Sequence, residues 1–446
     1  MKRLSILPAL SLLAVCSPSA FADVKLPAVL GSHMVVQRDQ PLTVWGWADK
    51  DEEVTVKFGE QSKSAKADDK GDWKVVLPAP AVNAKPQTMT ISGKNKVELT
   101  DILVGDVWVG SGQSNMEWPL SASTKGKDAV AAAKHPNIRL LQIPKVQAKE
   151  PAKDVKAAWQ ECSPATAGNF SAVLYFFGVR LQKDLDVPFG LINSSWGGSP
   201  IEPWTVTAKG SGGMHNGMIA PLQPFAIKGV IWYQGEANVG NGMGYHTKKA
   251  ALIEGWRQTW GKDMPFYYVQ IAPWSGYGPG SLPGLWEAQT ASLGIPNTGM
   301  AVTTDLVDNI ADIHPQNKLD VGNRLALWAL AKTYGKKDIV YSGPLYKSMK
   351  IEGDKIRVSF AHTGGGLKSR NDKPLSEFQI AAEDGKFIAA EAVIDGNDVI
   401  VSSKEVTKPT QVRFGWSNIA NPNLSNKEGL PASPFQTKDW KGVTGQ

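Results

Sequence analysis

Between residues 105 and 335 the chain alternates short apolar runs with segments of helical spacing. Residues 102–110 form an apolar run of the buried-strand type, and residues 172–185 repeat apolar side chains at the spacing of an amphipathic helix. The other predicted elements are strands at 190–193, 228–233, 266–271 and 299–304 and helices at 246–260, 286–293 and 318–334. Strands that alternate with helices predict an α/β fold, in which a mostly parallel sheet is covered by helices on both faces.

The flanking regions have a different pattern. Residues 41–47 and 53–58 alternate polar and apolar side chains, and turn-forming residues separate such runs, which predicts a β-sandwich. After about residue 336 the pattern is again rich in β-strands. We therefore expect a β-sandwich domain at 23–104, an α/β domain at 105–335 and a β-rich module at 336–446.

The first residues have the pattern of a secretion signal. Lys2 and Arg3 precede an apolar stretch, and Ala20-Phe21-Ala22 has the small-x-small form of a cleavage site. The sequence predicts cleavage after Ala22 and a periplasmic or secreted protein. No later stretch is long and apolar enough to predict a membrane span.

Composition limits the classes of partner and of stabilising bond. The formal net charge is +6, but the lysines are scattered, so no nucleic-acid partner is expected. Cys162 is the one cysteine outside the predicted signal, so no internal disulfide is expected. The 16 tryptophans fit a large core, and exposed ones offer flat faces for sugar rings.

Ser114 follows the first strand of the α/β region at a turn. The segment Gly110-Ser111-Gly112-Gln113 precedes it, and glycine permits the unusual backbone angles of a tight turn. A hydroxyl presented at a strand end is typical of a nucleophilic serine, which needs a base and oxyanion donors close by.

Three further polar segments follow strand ends. They are residues 193–204, 234–238 and 305–315. In open parallel sheets, ligands bind outside the carboxyl ends of the strands, so we expect all four segments to meet at one rim.

Histidine is the residue type suited to act as the base. His314 follows a strand and lies two residues after Asp312, whose carboxylate is placed to orient the ring. His215, in a glycine-rich loop, is the alternative that is hardest to exclude. The candidate oxyanion donors are the Ser114 N–H, the backbone of Gly197 and Gly198, and the side-chain amide of Gln234.

The four segments together resemble one enzyme family. The motifs are Gly-Gln-Ser-Asn-Met-Glu-Trp, Ser-Ser-Trp-Gly-Gly-Ser-Pro-Ile-Glu-Pro-Trp, Trp-Tyr-Gln-Gly-Glu-Ala-Asn and Asp-Ile-His-Pro-Gln-Asn-Lys. They resemble the sialate O-acetylesterases, a branch of the SGNH hydrolases that also includes acetylxylan esterases.

The resemblance implies a three-layer αβα esterase domain with accessory β-rich modules. Ser114 then matches the nucleophile and His314 the base, while Gly197 or Gly198 and Gln234 match the oxyanion positions. Asp312 is the predicted triad acid. Asp308 and Glu236 are the alternatives.

The expected reaction is hydrolysis of O-acetyl esters on a carbohydrate, with sialic acid favoured and xylan as the alternative. No cofactor is expected, and no metal-binding motif occurs in the sequence. The remoter alternatives are a glycoside hydrolase that uses Glu202 and Glu236, and a carbohydrate-binding protein without activity. The sequence leaves the oligomeric state open.

Overall fold

The computed structural model describes residues 23–439, and the predicted secretion signal at 1–22 lies outside the described residues. The amino-terminal part consists of short strands. In chain order they are β1 (Val35–Gln37), β2 (Leu42–Trp47), β3 (Glu53–Phe58), β4 (Gln61–Lys66), β5 (Asp72–Leu77) and β6 (Asn83–Ser92). β2 pairs with β5, and β3 pairs with β4 and β6, all antiparallel. Every second residue of β2 is buried, as the alternating sequence predicts.

The next strand, β7 (Lys96–Gly112), joins the amino-terminal sheet to the central one. Its first part pairs antiparallel with β6 and parallel with β1. Its second part lies in the middle of the central sheet. The predicted boundary between residues 104 and 105 therefore falls inside a continuous strand.

The central region alternates strands and helices. The α-helices and strands of this region after β7 are α1 (Ser114–Glu117), α2 (Gly126–Ala131), β8 (His135–Gln142), β9 (Trp159–Cys162), α3 (Ala172–Leu185), β10 (Phe189–Ser195), β11 (Val206–Thr207), β12 (Gly210–Ser211), β13 (Gly229–Tyr233), α4 (Gly244–Trp260), β14 (Phe266–Val269), α5 (Ser281–Ala291), β15 (Thr298–Ala301) and α6 (Lys318–Trp328). The strand order is β15-β14-β13-β7-β10-β8-β9, and all neighbours are parallel except the β8–β9 pair at the edge. This sheet confirms the predicted α/β class.

Helices cover both faces of the sheet. On β14, Tyr267 packs near Trp328 of α6, while Phe266 packs against Trp256 of α4. Successive residues of a strand point to opposite faces, so α6 and α4 lie on opposite sides. The OH of Tyr268, on the α4 side, donates to a carbonyl in α5 at 2.7 Å. The arrangement is the predicted three-layer αβα domain.

The last predicted helix is shorter than expected. The spacing predicts one helix over residues 318–334, but α6 ends at Trp328 and a π-helical turn, Ala329–Thr333, follows it.

Within residues 23–439, no helix combines the length and the hydrophobicity needed to cross a bilayer.

The carboxyl-terminal part is β-rich, as predicted, and has a core of its own. Its strands are β16 (Leu345–Glu352), β17 (Lys355–Ala361), β18 (Leu367–Ser369), β19 (Phe378–Ala381), β20 (Ile388–Ala389), β21 (Glu391–Asp395), β22 (Asp398–Ser402), β23 (Gln411–Phe414), β24 (Leu424–Asn426) and β25 (Phe435–Gln436). The buried side chains of this core include Val358, Phe414 and Phe435. By contrast, the amino-terminal strands and the central sheet share one continuous core.

Candidate active site

Ser114 lies two residues after the end of β7, at the first position of α1. Gly112 has a φ of +134°, and a Cβ there would lie 2.2 Å from the carbonyl oxygen of Tyr233, so only glycine fits. The N–H of Gln113 donates to that carbonyl at 3.0 Å. The turn therefore holds the serine against the end of β13.

Two neighbouring loops form hydrogen bonds with the same turn. The N–H of Trp196 donates to the carbonyl of Gly112 at 3.0 Å, and the Oε1 of Gln113 accepts from the N–H of Ala237 at 3.2 Å. These contacts bring the loops after β10 and β13 to the serine, at the rim predicted from the parallel strands.

His314 reaches Ser114 from the loop before α6. Its Nε2 lies 2.8 Å from the Ser114 Oγ, a distance at which the hydroxyl donates to the ring. The ring of Trp118 stacks on the imidazole with centroids 5.0 Å apart. Asn115 donates to the carbonyl of Ile313 at 3.1 Å, which anchors the histidine loop.

Of the three candidate acids, Asp312 lies beside the imidazole. Its Oδ1 accepts from the backbone N–H of His314 at 2.8 Å and lies 3.7 Å from Nδ1. The second distance exceeds that of a hydrogen bond, so the contact with the ring is electrostatic. Asp308 is exposed, and Glu236 is buried, where it accepts from Asn115 at 2.6 Å.

Ser114 and His314 open onto a cavity of about 410 Å³. Its other lining residues are Glu117, Trp118, Pro119, Gln142, Lys145, Asn169, Asn193 and Gly197. The volume is at the small end of ligand pockets and suits one substituted sugar unit. Within the described residues, no cluster of three or more His, Cys, Asp or Glu side chains is arranged for a metal ion.

Gly197 is the predicted oxyanion glycine that lines this cavity. A Cβ on Gly197 would lie 3.5 Å from the Cβ of Ser114. Its N–H donates to the Oε2 of Glu117 at 2.5 Å, and Lys145 binds the other oxygen of that carboxylate at 2.5 Å. Gly198 is not among the lining residues. It has a φ of +74°, and it lies in the turn that also contains Gly197.

Gln234 is buried behind this rim and is not among the residues that line the cavity. Its Nε2 donates to the Oδ1 of Asn238 at 2.7 Å, and its Oε1 accepts from the OH of Tyr245 at 2.7 Å. Asn238 in turn accepts from the N–H of Ile201 at 2.9 Å. The amide therefore ties the loop after β13 to the loop that carries Gly197. An oxyanion role for Gln234 stays a prediction.

Several lining residues were not predicted. Asn193, at the end of β10, donates to Gln142 at 2.8 Å and accepts from Ser195 at 2.8 Å. Its place at the start of the polar segment 193–204 was a usable signal. Glu117 and Lys145 are far apart in the sequence, and no local pattern pairs them.

Buried polar side chains next to Ser114 hold the turn that carries it. Lys318 donates to the Oδ1 of Asn115 at 2.5 Å, and Asn115 bridges it to Glu236. Burial lowers the pKa of Lys318 to about 7 and raises that of Glu236. The lysine ammonium also lies 5.4 Å from the centre of the Tyr233 ring.

The pKa of His314 is lowered, first by burial and then by the nearby Lys318 charge, while Asp312 acts in the opposite direction. A lowered pKa keeps the imidazole neutral near neutral pH. The ring can then accept a proton from Ser114, as a general base requires.

His215, the alternative base, lies elsewhere. It begins a π-helical turn, is buried, and packs near Trp256. It is not among the residues that line the cavity.

Known proteins match the chain over most of its length. Human (Homo sapiens) sialate O-acetylesterase is 31% identical over 487 residues, which cover 94% of this chain and 93% of the human protein. Sialate O-acetylesterase from Rattus norvegicus is 31% identical over 433 residues, covering 77% of this chain and 79% of the rat protein.

A crystal structure of a carbohydrate acetylesterase from Xanthomonas citri superposes with a TM-score of 0.90 at 41% identity, covering 94% of this chain and 100% of that one. Residues 104–331 match the family described as "SASA: Carbohydrate esterase, sialic acid-specific acetylesterase". These matches confirm the resemblance seen in the motifs, and the chain belongs to the sialic acid-specific acetylesterase family of carbohydrate esterases.

Proposed function

We propose that this protein is a serine esterase that removes O-acetyl groups from carbohydrate through an acetyl-enzyme. The observation that carries the proposal is the 2.8 Å contact between the Ser114 hydroxyl and His314 at the floor of a cavity of sugar size. Family membership supports the acetyl ester as the bond that is cleaved.

The proposed reaction has two halves. His314 takes the proton of Ser114 as its oxygen attacks the acetyl carbonyl, and the protonated imidazole then gives that proton to the leaving sugar alcohol. Water then attacks the acetyl-enzyme by the same route, releasing acetate and restoring Ser114.

The negative oxygen of each tetrahedral intermediate needs N–H donors. Ser114 is the first residue of α1, so its N–H has no acceptor within the helix. The Gly197 N–H faces the same cavity, but it donates to the Glu117 carboxylate. We propose that this carboxylate moves aside toward Lys145 when substrate enters, which frees the N–H. Gln234 enters this proposal through Asn238, as a residue that positions the Gly197 loop.

Asp312→Asn tests the proposed acid. An opposite charge at about 4 Å contributes about 1 kcal/mol in water and about 4 kcal/mol near a protein surface. These energies correspond to about 5-fold and about 10³-fold, and the half-buried His314 ring is closer to the second case, so we expect kcat/KM for 4-nitrophenyl acetate to fall by more than about 10-fold and up to about 10³-fold. A loss smaller than about 10-fold would remove Asp312 from the triad. Asp308→Asn, at an exposed position, is the control.

The dependence of activity on pH tests the state of His314. The neutral ring is the active form, so activity is lost as pH falls through its pKa. We expect the acid limb of kcat/KM to have an apparent pKa below 6.5, because burial and Lys318 disfavour the charged ring. Asp312→Asn is expected to move this limb to still lower pH, and a limb at or above 6.5 in the wild type would contradict the assignment.

For the sugar, we propose sialic acid O-acetyl esters first, following the named relatives, and acetylated xylan as the alternative. Lys145 is a cation that lines the cavity, and its ammonium has three N–H donors, so it can meet the sialic acid carboxylate while it also holds Glu117. Acetate release from O-acetylated sialic acid and from acetylated xylo-oligosaccharides, measured side by side, separates the two.

We also propose that the enzyme works in the periplasm or outside the cell. The support is the signal-like pattern of residues 1–22.

A further inference from the structure

A second cleft lies on the amino-terminal sheet. Trp45 and Trp47 alternate with buried residues along β2, so their half-buried side chains share one face. Residues at this spacing lie roughly 7 Å apart along a strand. On β5, Lys74 is paired with Trp45 and Asp72 with Trp47. The face therefore presents two indole rings beside a cation and a carboxylate.

The opposite wall comes from the central region. Residues 151–153, together with Ala220, Gln223 and Pro224, face β2 and β5 across a cavity of about 510 Å³. The Nζ of Lys153 lies 3.0 Å from each carboxylate oxygen of Asp72, so this ion pair joins the two walls of the cavity. We call this cavity, lined by Trp45, Trp47, Asp72, Lys74, Lys153 and Gln223, the tryptophan cleft.

These side chains have the chemistry that binds sugars. Indole rings offer flat apolar surfaces to pyranose rings, while carboxylate, ammonium and amide groups bond hydroxyls. The lining carries two carboxylates, Asp68 and Asp72, and two ammonium groups, Lys74 and Lys153, so its formal charges balance and the cleft favours a neutral ligand. We propose that the tryptophan cleft binds neutral pyranose units, as a second contact for the glycan that carries the acetyl group. In a sialylated glycan these are the neutral units beyond the sialic acid. This inference rests on the proposed function for its biological role, but not for its binding test.

One short segment connects the two sites. Lys145 lines the catalytic cavity, and Lys153, farther along the same irregular stretch, lines the tryptophan cleft. Even a fully extended chain between these two residues spans at most about 28 Å. The two sites therefore lie within the length of a glycan of several units, as contact of one glycan with both sites requires.

The test measures binding without turnover. In a Ser114→Ala background, xylohexaose, cellohexaose and sialyllactose are titrated by calorimetry. We expect at least one neutral hexasaccharide to bind, and Trp47→Ala and Trp45→Ala each to weaken its binding by at least about fivefold. Trp47→Phe, which keeps a flat ring, should retain most of the affinity.

Turnover of 4-nitrophenyl acetate by Trp47→Ala with Ser114 intact should equal that of the wild type, which shows that the variant folds. The proposal is overturned if neither hexasaccharide binds, if the folded alanine variants bind as tightly as their parent, or if sialyllactose is preferred through the same residues. If the esterase proposal fails instead, aryl acetate turnover is absent while hexasaccharide binding still reports on the cleft.

Discussion

Replacing Ser114 by alanine is expected to lower kcat/KM for 4-nitrophenyl acetate by at least about 10⁴-fold. In the proposed mechanism the Ser114 hydroxyl, 2.8 Å from His314, is the nucleophile, and alanine leaves no atom to carry the acetyl group. The residual rate should be that of water attack assisted by binding alone. Initial rates and release of acetate measure the loss.

Ser121→Ala is a matched control, because Ser121 is an exposed serine in the short 3₁₀ turn that follows α1. It should keep wild-type activity and the same melting temperature as Ser114→Ala. If Ser114→Ala turned over the ester at a rate near that of the control, the acetyl-enzyme mechanism would be wrong.

Replacing His314 by alanine is expected to cause a loss of similar size, about 10⁴-fold or more, because the Ser114 hydroxyl then keeps its proton. The two residues act as a unit. The double variant should therefore be no slower than the more damaged single variant, since residues that act together are strongly non-additive.

His33→Ala is the control for this pair. The Nδ1 of His33 lies 2.6 Å from the Oδ2 of Asp101 in the amino-terminal part. His33 does not line the catalytic cavity, so its loss should leave kcat/KM unchanged. Independent, multiplying losses in the Ser114/His314 double variant would mean that the histidine acts in some step other than activation of the serine.

Local patterns were enough to locate several elements. The helix α3 spans the residues predicted for it because its apolar spacing is regular and Ser171 caps it, accepting from the N–H of Leu174 at 3.2 Å. The bounds of β13 differ from the predicted strand by one residue, since all its residues are buried and are apolar apart from the tyrosine hydroxyl and the tryptophan N–H.

Other elements depended on partners that a local pattern does not contain. The start of β7 is polar, and it is a strand because it pairs with β6. The helix after Lys318 keeps an apolar spacing past Trp328, but its hydrogen bonds shift to a π-helical turn there.

The same distinction applies to the site. Ser114, His314 and Gly197 lie close together because parallel strands end at one rim of the sheet. The alternation of strands and helices in the sequence was enough to predict this. The direction of the Gln234 amide was not predictable, since it is set by Tyr245 and Asn238. The Glu117 carboxylate on the Gly197 N–H likewise results from the tertiary fold.

Strand β7 has a consequence for how this enzyme can be divided. A gene fragment that began at residue 105 would start in the middle of β7, whose second part pairs with β10 and β13 and ends next to Ser114. Such a fragment would also lack Leu103 and Val104, which belong to the core shared by both regions, so the side chains that pack against them would be exposed. The amino-terminal strands are therefore part of the catalytic scaffold, and an excision or domain swap has to keep them together with the serine.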